Sequence, residues 1–479
     1  MQLIFEKSRA GARAITHDAL DVPEATLPSD LRRTAPAELP EVGEIDIVRH
    51  FTHLSNRNFG IDSHFYPLGS CTMKYNPKLA EAVAALPGFT GLHPHTASQP
   101  ETWPLCQGSF ALIHELEQLL GEISGFSDVS LQPIAGAHGE LTGTLLMAAY
   151  HRERGNTKKT RIIVPDSAHG TNPATAAIAG FEVVEVPSDK NGVIDLEKFR
   201  AAMDDTVAGV MTTCPNTHGL FEPRIREIAK LAHAHDALLY YDGANLNAIM
   251  GVCRPGDLGF DVMHFNLHKT YATPHGMGGP GSGPVGVNAK LAPYLPGPRV
   301  VRNGDTFSLT TPERSIGRIA PFFGNFGMFV RALAYIRHYG GDGLRDVSRY
   351  AVLNANYIHA RLKGAWQSAF NGQRYMHECV FTAAPQAAKG AKALDIAKAL
   401  LDRGFHAPTV YFPLTVKESI MIEPTETENQ ATLDAFCDAM LDIAKQIEID
   451  PAPLRAAPIT TPVSRFDEVK AARELNCGC

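Results

Sequence analysis

The sequence has no apolar run that approaches the roughly 20 residues of a transmembrane helix. Its start, MQLIFEKSRAGARA, lacks the apolar core and small-residue cleavage site of a secretory signal, and early acidic residues disfavour an organellar transit peptide. It has no block rich in Lys and Arg, so the electrostatic footprint for nucleic acid is missing. These absences predict a cytoplasmic protein that binds neither membranes nor nucleic acids.

The cysteines show no spacing typical of metal ligands. Of the 8 cysteines, all but the last two are scattered along the chain, which is typical of reduced thiols in the cytosol. The last two form the terminal pair Cys477-Gly-Cys479, for which a disordered tail, a redox pair and a metal-capturing tail all stay open. We therefore predict no bound metal.

The distribution of periodic segments predicts three regions. The 479 residues are 44% hydrophobic and 20% charged with a net charge of −7, which is ordinary globular composition. Residues 1–105 are rich in Pro, Gly, His and Asn, and we expect an N-terminal arm there. Residues 106–324 alternate apolar runs with helical segments and form the predicted large domain. Residues 325–479 begin with a long helix and form a predicted small α+β domain.

Short apolar runs in the large domain alternate with helices of ordinary length. Strands that are apolar throughout predict an α/β fold, with a mostly parallel sheet that helices cover on both faces. Ligands of such sheets bind beyond the carboxyl ends of the strands, so the residues that follow the runs are the candidates for chemistry. The runs are DVSLQP, RIIVPD, FEVVEVP, VAGVMTTCP, ALLYYDGAN, DVMHFNL and GPVGVN.

A lysine and an aspartate follow two of these runs. Lys269 comes after DVMHFNL, where a buried amine is costly unless it is paired or modified, and where desolvation would make it a nucleophile toward carbonyls. Asp242 ends ALLYYD and could pair with a protonated pyridine nitrogen. The simpler alternatives are a lysine that snorkels to solvent and an aspartate that caps a turn. Together, the two residues are typical of enzymes that use pyridoxal 5'-phosphate (PLP).

The loop IAGAHGELTG offers a candidate phosphate site. It follows the first run and opens a helix, so that Gly136, Ala137, His138 and Gly139 could present free backbone N–H groups to an anion. An ordinary tight turn between strand and helix would have the same sequence, and this alternative stays open. The prediction gains weight only from the residues that follow other strands.

Further candidates lie at the intervening strand ends. His169, in PDSAHGTNP, could stack over a flat cofactor ring or make only a local hydrogen bond. Thr213 and Asn216 could bond the phenolic oxygen of the cofactor or the substrate, and Ala244 completes the predicted cofactor-binding set. The phosphate turn, His169, Asp242 and Lys269 occur in strand order, and this joint occurrence favours a PLP enzyme.

Long stretches of the chain resemble the P-protein family of the glycine cleavage system, in its lysine-bearing subunit 2 form. The resemblance covers roughly residues 45–470. The matching stretches are FGIDSHFYPLGSCTMKYNPK, SLQPIAGAHGELTG, DSAHGTNPATA, YYDGANLNAI, DVMHFNLHKTYATPHGMGGPGSGPVGV, APFFGNFGMFVRALAYIR and PTVYFPLTVKESIMIEPTETE.

The resemblance implies the PLP-dependent transferase fold of type I and a dimeric active site. It implies that Lys269 carries the cofactor as a Schiff base, that Asp242 meets the pyridine nitrogen and that His169 covers the ring. The implied reaction removes the carboxyl group of glycine as CO2 and transfers the aminomethyl group to the lipoyl arm of H-protein. A separate subunit 1 should complete a heterodimer, and two heterodimers should associate.

Some assignments stay open. Arg318 and His275 are candidates for binding the carboxylate of glycine, and residues 273–283 and 93–108 are candidate walls of a channel for the lipoyl arm. Another PLP enzyme, such as an aminotransferase or a desulfurase, would share Lys269 and Asp242. A desulfurase would need a catalytic cysteine on a flexible loop of its C-terminal domain, whereas Cys379 lies in an apolar run. A non-catalytic subunit of a PLP enzyme complex is the other alternative, and Lys269 is the residue that argues against it.

Overall fold

The computed structural model describes residues 2–35, 37–275 and 280–475. Two compact units divide the chain, Met1–Gly60 and Ile61–Cys479. In the first unit, a largely irregular chain precedes one α-helix, and the Arg9 N–H donates to the Glu41 carbonyl at 2.7 Å. Residues 61–105 of the predicted arm belong to the second unit, and the predicted boundaries at 105 and 324 stay predictions. The terminal pair Cys477 and Cys479 lies outside the described residues.

The helices and strands are numbered here along the chain. The helices are α1 Glu44–Ser55, α2 Lys78–Ala84, α3 Pro87–Thr90, α4 Trp103–Ser124, α5 Gly136–Glu153, α6 Thr171–Ile178, α7 Leu196–Ala202, α8 Ile225–Ala234, α9 Pro255–Leu258, α10 Leu267–Thr270, α11 Phe326–Leu362, α12 Ala384–Ala388, α13 Ala393–Leu401, α14 Gln430–Ile449, α15 Ala452–Ala456 and α16 Glu468–Arg473. The strands are β1 Asp128–Ser130, β2 Arg161–Pro165, β3 Glu182–Val186, β4 Val207–Thr213, β5 Leu238–Gly243, β6 Val262–Phe265, β7 Val285–Val287, β8 Arg299–Asn303, β9 Thr306–Thr310, β10 Gln367–Ser368, β11 Cys379–Thr382, β12 Thr409–Val410 and β13 Ser419–Ile422.

The central sheet has the order β1-β7-β6-β5-β4-β2-β3. Strands β2, β3, β4, β5 and β6 are all parallel to one another. Strand β7 lies antiparallel to both of its neighbours, β1 and β6. Each of the seven predicted runs contains one of these strands. The prediction of an α/β fold with a mostly parallel sheet is therefore confirmed.

Both faces of this sheet are buried. Leu238 and Tyr240 of β5 belong to the hydrophobic cluster that α5 covers, whereas Leu239 and Tyr241 belong to the cluster on the opposite face. Successive side chains of a strand point to opposite faces. A strand covered on both sides is therefore apolar at most positions, which explains the apolar runs of the sequence.

The small sheet has the order β10-β11-β13-β12, and all its neighbouring strands are antiparallel. Its side chains share one hydrophobic cluster with those of α13 and α14. Helix α11 serves both cores, because Phe329 packs with the large sheet and Ile358 with the small one. Gly340, with φ 60° and ψ −178°, interrupts the helical conformation between them. Among the described residues, no helix is long and apolar enough to cross a membrane.

Candidate active site

Three adjacent parallel strands place polar residues in one row near the carboxyl edge of the sheet. Thr213 of β4 pairs in register with Asp242 of β5, and Asp242 pairs with His264 of β6. All three residues are buried. The sheet register therefore brings the predicted Asp242 and Thr213 together and adds His264, which the sequence analysis did not single out.

Asp242 is a buried carboxylate with three polar neighbours. It accepts hydrogen bonds from the Ala244 N–H at 2.9 Å and from the Asn172 amide at 3.0 Å, and His264 Nε2 lies 3.4 Å from its Oδ1. Burial favours the neutral carboxyl group, but these contacts and the nearby Lys269 outweigh it and lower the pKa of Asp242. The group is therefore an anion at neutral pH and can stabilise a cation on a bound ligand.

His264 lies beside Asp242 and is a neutral imidazole. Burial lowers the pKa of His264 to about 4. The Asn266 amide donates to its Nε2 at 2.9 Å, which leaves Nδ1–H to donate to the Tyr240 hydroxyl at 2.6 Å. The isolated polar letters inside the apolar run DVMHFNL are the signal that could have identified His264 and Asn266 from the sequence.

Lys269 lies on the short helix α10, which follows β6 directly, and its side chain is partly buried. Its Nζ donates to the Ser70 carbonyl at 2.8 Å. Ser70 and Thr72 both adopt left-handed backbone conformations, with φ of 62° and 42°. The segment that contains them thus supplies a partner for the predicted reactive amine, and the sequence analysis assigned it no such role.

His169 lies in the loop between β2 and α6 and is exposed. Its Nδ1 contacts the Thr171 hydroxyl at 3.0 Å, and its ring meets Phe412 edge-on at 6.1 Å between centroids. Partial desolvation and Lys269 lower its pKa, whereas Asp242 acts in the opposite direction. The structure therefore places His169 within electrostatic reach of Asp242 and Lys269, and the roles predicted for the three residues stay predictions.

The predicted phosphate turn forms the start of α5. The Gly139 N–H donates to the Ala135 carbonyl at 2.9 Å, so the prediction of a free N–H group at Gly139 is wrong. The N–H groups that precede it in the first turn have no acceptor within the helix. The turn is packed tightly, because a Cβ on Gly136 would lie 2.3 Å from Asn266 Oδ1. The Ile134 N–H donates to His138 Nδ1 at 3.3 Å, so that this side chain braces the turn. The helix start, with its positive dipole end, suits a phosphate.

The donor set as a whole suits a planar heteroaromatic cofactor that carries a phosphate, a basic ring nitrogen and a carbonyl group. The helix start offers an anion site, Asp242 offers a negative charge, and Lys269 offers an amine. Thr213 Oγ1 and Asn172 Oδ1 are buried and have no hydrogen-bond partner among the described residues. Polar atoms without a partner beside Asp242 are the expected mark of a ligand that completes the site.

Two other predicted residues have observed roles within the protein itself. The Asn216 amide donates to the Gly192 carbonyl at 2.7 Å, and its oxygen accepts from the N–H groups of His218 and Leu220 at 3.0 and 3.1 Å. Its side chain therefore shapes a loop, and its contact with a cofactor or substrate stays a prediction. Ala244 acts through its N–H, which bonds Asp242.

The two candidates for the substrate carboxylate lie in different surroundings. Arg318 lines a cavity of about 600 Å³ together with His95 and Trp103, which belong to the predicted channel wall 93–108. His275 packs edge-on against His268 at 5.0 Å, and burial and Lys269 lower its pKa to about 4. His275 is thus the candidate near Lys269. Residues 276–279 of the other predicted wall lie outside the described residues.

Glu140 gives a pH-dependent prediction. One of its carboxylate oxygens lies within 4.8 Å of one of Asp242. Burial, and then the charge of Asp242, raise the pKa of Glu140 to about 9. The folded state retains a proton that the unfolded state loses near pH 4.3, so the free energy of unfolding falls as pH rises from about 4.3 to about 9, by up to about 1.4 kcal/mol per pH unit. We expect Glu140→Gln to become steadily more stable relative to the unmodified protein over this range.

Urea unfolding across that range measures the difference. The matched control is Glu122→Gln, because the Glu122 side chain is 82% exposed. Its difference from the unmodified protein should show little dependence on pH. A Glu140→Gln difference that stays equally flat would contradict the assignment of a buried proton to Glu140.

Gly139 gives a prediction on stability. A Cβ at this position would lie 2.6 Å from the Gly283 carbonyl oxygen and 2.8 Å from His264 Cβ. Gly139→Ala should therefore lower the free energy of unfolding by about 1–3 kcal/mol through overpacking. Gly341→Ala is the control, because nothing lies within 4 Å of a Cβ there, and alanine should stabilise the helix by up to about 1 kcal/mol. Thermal unfolding of both variants would refute the tight packing if their shifts have the same sign.

Two family models match the chain. The one described as glycine cleavage system P-protein matches residues 12–309, and the one described as the C-terminal domain of glycine dehydrogenase matches residues 347–453. Together they account for most of the residues on which the candidate site is built.

Relatives of similar length match almost the whole chain. A probable glycine dehydrogenase (decarboxylating) subunit 2 of Caldanaerobacter subterraneus subsp. tengcongensis is 54% identical, with 98% of this chain and 97% of the relative covered. Proteins of the same description from Chlorobium chlorochromatii and Thermotoga petrophila are 53% and 52% identical, with 100% and 98% of this chain and 99% and 98% of the relative covered.

Solved structures share the fold at low identity. An inhibitor-bound glycine decarboxylase (P-protein) of the glycine cleavage system has a TM-score of 0.72 and 21% identity, over 87% of this chain and 93% of that chain. A sphingosine-1-phosphate lyase of Burkholderia pseudomallei has a TM-score of 0.63 and 14% identity, over 91% and 95% of the two chains. These likenesses confirm the predicted fold.

Proposed function

Because this chain belongs to the glycine cleavage system P-protein family, we propose that it is the lysine-bearing, catalytic subunit of a glycine decarboxylase. The observation that carries the proposal is the convergence of Lys269, Asp242 and His169 beyond the strand ends, with Asp242 held as an anion. A subunit that only supported a complex would have no need for a buried carboxylate and an amine at these positions.

The cofactor that fits the donor set is PLP. The free N–H groups at the α5 start, those of Gly136, Ala137 and His138, would bind the phosphate, and Lys269 Nζ would bind the aldehyde. When bound, PLP supplies an electron sink for the electron pair that stays on the α-carbon of glycine as the carboxyl group leaves as CO2.

The residues of the chain supply position and charge. Asp242 would hold a proton on the ring nitrogen, because its carboxylate is ionised and fixed by two hydrogen bonds. His169 would cover one face of the ring, and Thr213 would bond the phenolic oxygen with its unpartnered hydroxyl. The Ser70 carbonyl orients the amine of Lys269. Preorganised groups of this kind stabilise charge in a transition state without reorganising.

The proposed partners are subunit 1 and lipoylated H-protein. The relatives are described as subunit 2, which implies a subunit 1, and we propose that the two form a heterodimer that associates in pairs. We propose that H-protein delivers the lipoyl disulfide along the cavity that Arg318 and His95 line, where it would accept the aminomethyl group. The assembly and a location in the cytoplasm stay predictions.

A desulfurase is disfavoured by the position of Cys379. This residue lies on β11, fully buried in the core of the small sheet, and burial raises the pKa of its thiol. A sulfur nucleophile needs a thiolate and access to the substrate. Cys379 has neither, so the structure offers no support for that chemistry at this position.

The test is the exchange of the carboxyl carbon of glycine with labelled bicarbonate, measured on the PLP-loaded chain alone and with subunit 1. Exchange that depends on PLP is the expected result. Borohydride reduction followed by peptide mass spectrometry should place the pyridoxyl group on Lys269. The proposal fails if the complete complex binds PLP but exchanges no carboxyl carbon, or if the pyridoxyl group is found on another residue.

A further inference from the structure

Two buried carboxylates of the small sheet reach the segment that contacts Lys269. Glu378 precedes β11 and Glu423 follows β13, and both are fully buried. Cys379 and Ile422 pair in register across these antiparallel strands, so the two glutamates lie side by side. The two carboxylates therefore lie at one end of the small sheet, and a loop lies between them and Lys269.

The loop is residues 68–72, here called the serine loop. Leu68 bridges Ile422 in an antiparallel sense, and the two glutamates then bind the rest of the loop. Glu378 accepts from the Ser70 N–H at 2.8 Å, and Glu423 accepts from the Thr72 N–H at 2.9 Å. The Ser70 carbonyl in turn accepts from Lys269 Nζ. One continuous set of hydrogen bonds thus joins the small sheet to the amine.

The backbone of the serine loop needs this support. Ser70 and Thr72 have left-handed φ values of 62° and 42°, a conformation that costs a residue with a side chain about 1–2 kcal/mol. Such residues persist only where the surroundings over-determine them. Glu378 and Glu423 fix the N–H groups of the two left-handed residues themselves, and so determine where the Ser70 carbonyl points.

The surroundings of Glu378 and Glu423 favour the protonated, neutral form of each carboxyl group. Burial, and then the charge of Glu423, raise the pKa of Glu378, and burial also raises the pKa of Glu423. The charge of Lys269 acts in the opposite direction on both pKa values, and Lys74, in a buried ion pair with Glu426 at 2.8 Å, does so on that of Glu423. A neutral carboxyl group still accepts a hydrogen bond through its carbonyl oxygen. The bonds to the serine loop therefore do not require both carboxyl groups to be ionised, and glutamine can retain them.

We propose that Glu378 and Glu423 are positioning residues for the reaction at Lys269, which hold the serine loop so that the Ser70 carbonyl fixes the amine where the cofactor's aldehyde binds. This inference rests on the proposed function. Lysine has a long flexible side chain, and a fixed acceptor reduces the conformational freedom that the amine must lose when it reacts. The small domain thereby acts on the lysine without touching the cofactor.

The test is the rate at which PLP becomes attached to Lys269 in the cofactor-free chain, followed by absorbance after mixing. Glu378→Ala and Glu423→Ala should each slow attachment about tenfold, as expected for the loss of one buried hydrogen bond. Glu378→Gln and Glu423→Gln keep an acceptor and should stay within about threefold. Glu378→Leu fills the same space without an acceptor and gives the same test if the alanine variant does not fold.

Glu222→Ala is the matched control. Glu222 is also buried and also accepts from a backbone N–H, that of Ile194 at 2.9 Å, but it has no contact with the serine loop. The Glu222→Ala substitution should lower the midpoint of thermal unfolding without slowing the attachment of PLP more than about twofold. A purely structural role of the two glutamates would instead make their variants behave like this control.

The same substitutions made in a Lys269→Ala variant show whether their effect depends on the lysine. In Lys269→Ala, the equilibrium affinity for PLP should be unchanged within about twofold by Glu378→Ala or Glu423→Ala, because their effect passes through the missing amine. A large loss of affinity in this background would mean damage to the cofactor site and would overturn the proposal. Attachment at the unmodified rate in the alanine variants would overturn it as well. If the unmodified chain itself does not attach PLP at Lys269, it is the proposed function that fails.

Discussion

Lys269→Ala should reduce the exchange of glycine's carboxyl carbon with bicarbonate by a factor on the order of 10⁴ or more, because it removes the amine that we propose binds the cofactor's aldehyde. The fold should persist, since Lys269 is only partly buried and lies on a four-residue helix at the rim of the sheet. The measurement is exchange in the complete PLP-loaded complex, with thermal unfolding as the check on folding.

Two variants define what the loss means. Lys269→Arg keeps a positive charge and a donor for the Ser70 carbonyl but cannot bind the aldehyde covalently, so it should lose as much activity as the alanine variant. Lys445→Ala, at an exposed position of α14, should keep full exchange. Exchange by Lys269→Ala above a tenth of the unmodified rate would rule out the role given to this amine.

Asp242→Asn should lower exchange by about 10²-fold, the scale on which a preorganised charge contributes to a transition state. The amide keeps an oxygen for the Ala244 N–H, but it has no charge to hold a proton on the ring nitrogen. The absorbance of the bound cofactor should shift with the protonation of the ring, which gives a reading independent of turnover. Unchanged exchange together with an unchanged spectrum would refute the predicted contact.

Asp261→Asn is the matched control for Asp242→Asn. Asp261 is equally buried and accepts from the Leu239 N–H at 2.8 Å, but it lies before β6, at the other end of the strand from Lys269. Its substitution should lower the midpoint of thermal unfolding while exchange per folded molecule stays within about twofold. The comparison separates the charge that acts on the ligand from the cost of removing a buried carboxylate.

The fold was largely readable from the sequence, because a sheet buried on both faces leaves a strong pattern. Each apolar run between polar turns contains one strand of the observed sheet. The division of the first 105 residues between the two compact units, after Gly60, could not be predicted from the sequence. Residues 61–105 belong to the second unit through contacts between residues far apart in the sequence, such as the bond from Lys74 Nζ to the Thr270 carbonyl at 2.9 Å, and such contacts leave no periodicity.

The same contrast applies to the candidate site. Asp242, His169 and Lys269 could be singled out from the sequence because each lies at or just after the end of a strand, and the sheet topology gathers strand ends. Ser70 could not be predicted, because its bond to Lys269 joins residues 199 positions apart and no local rule sets that distance. Glu378 and Glu423 had a signal, since each flanks an apolar run in the small domain, but their target lies in a loop that only the tertiary structure reveals.

The serine loop also has a consequence for how the protein is made. Its bond from Thr72 to Glu423 spans 351 residues, so it forms only after nearly the whole chain has been synthesised. The phosphate turn, Asp242 and Lys269 all leave the ribosome earlier, in chain order. A nascent chain can thus fold its cofactor cleft before it can orient the amine, and contacts of such sequence separation form slowly. If the serine loop orients the amine as we propose, attachment of the cofactor at the full rate requires that synthesis has passed Glu423.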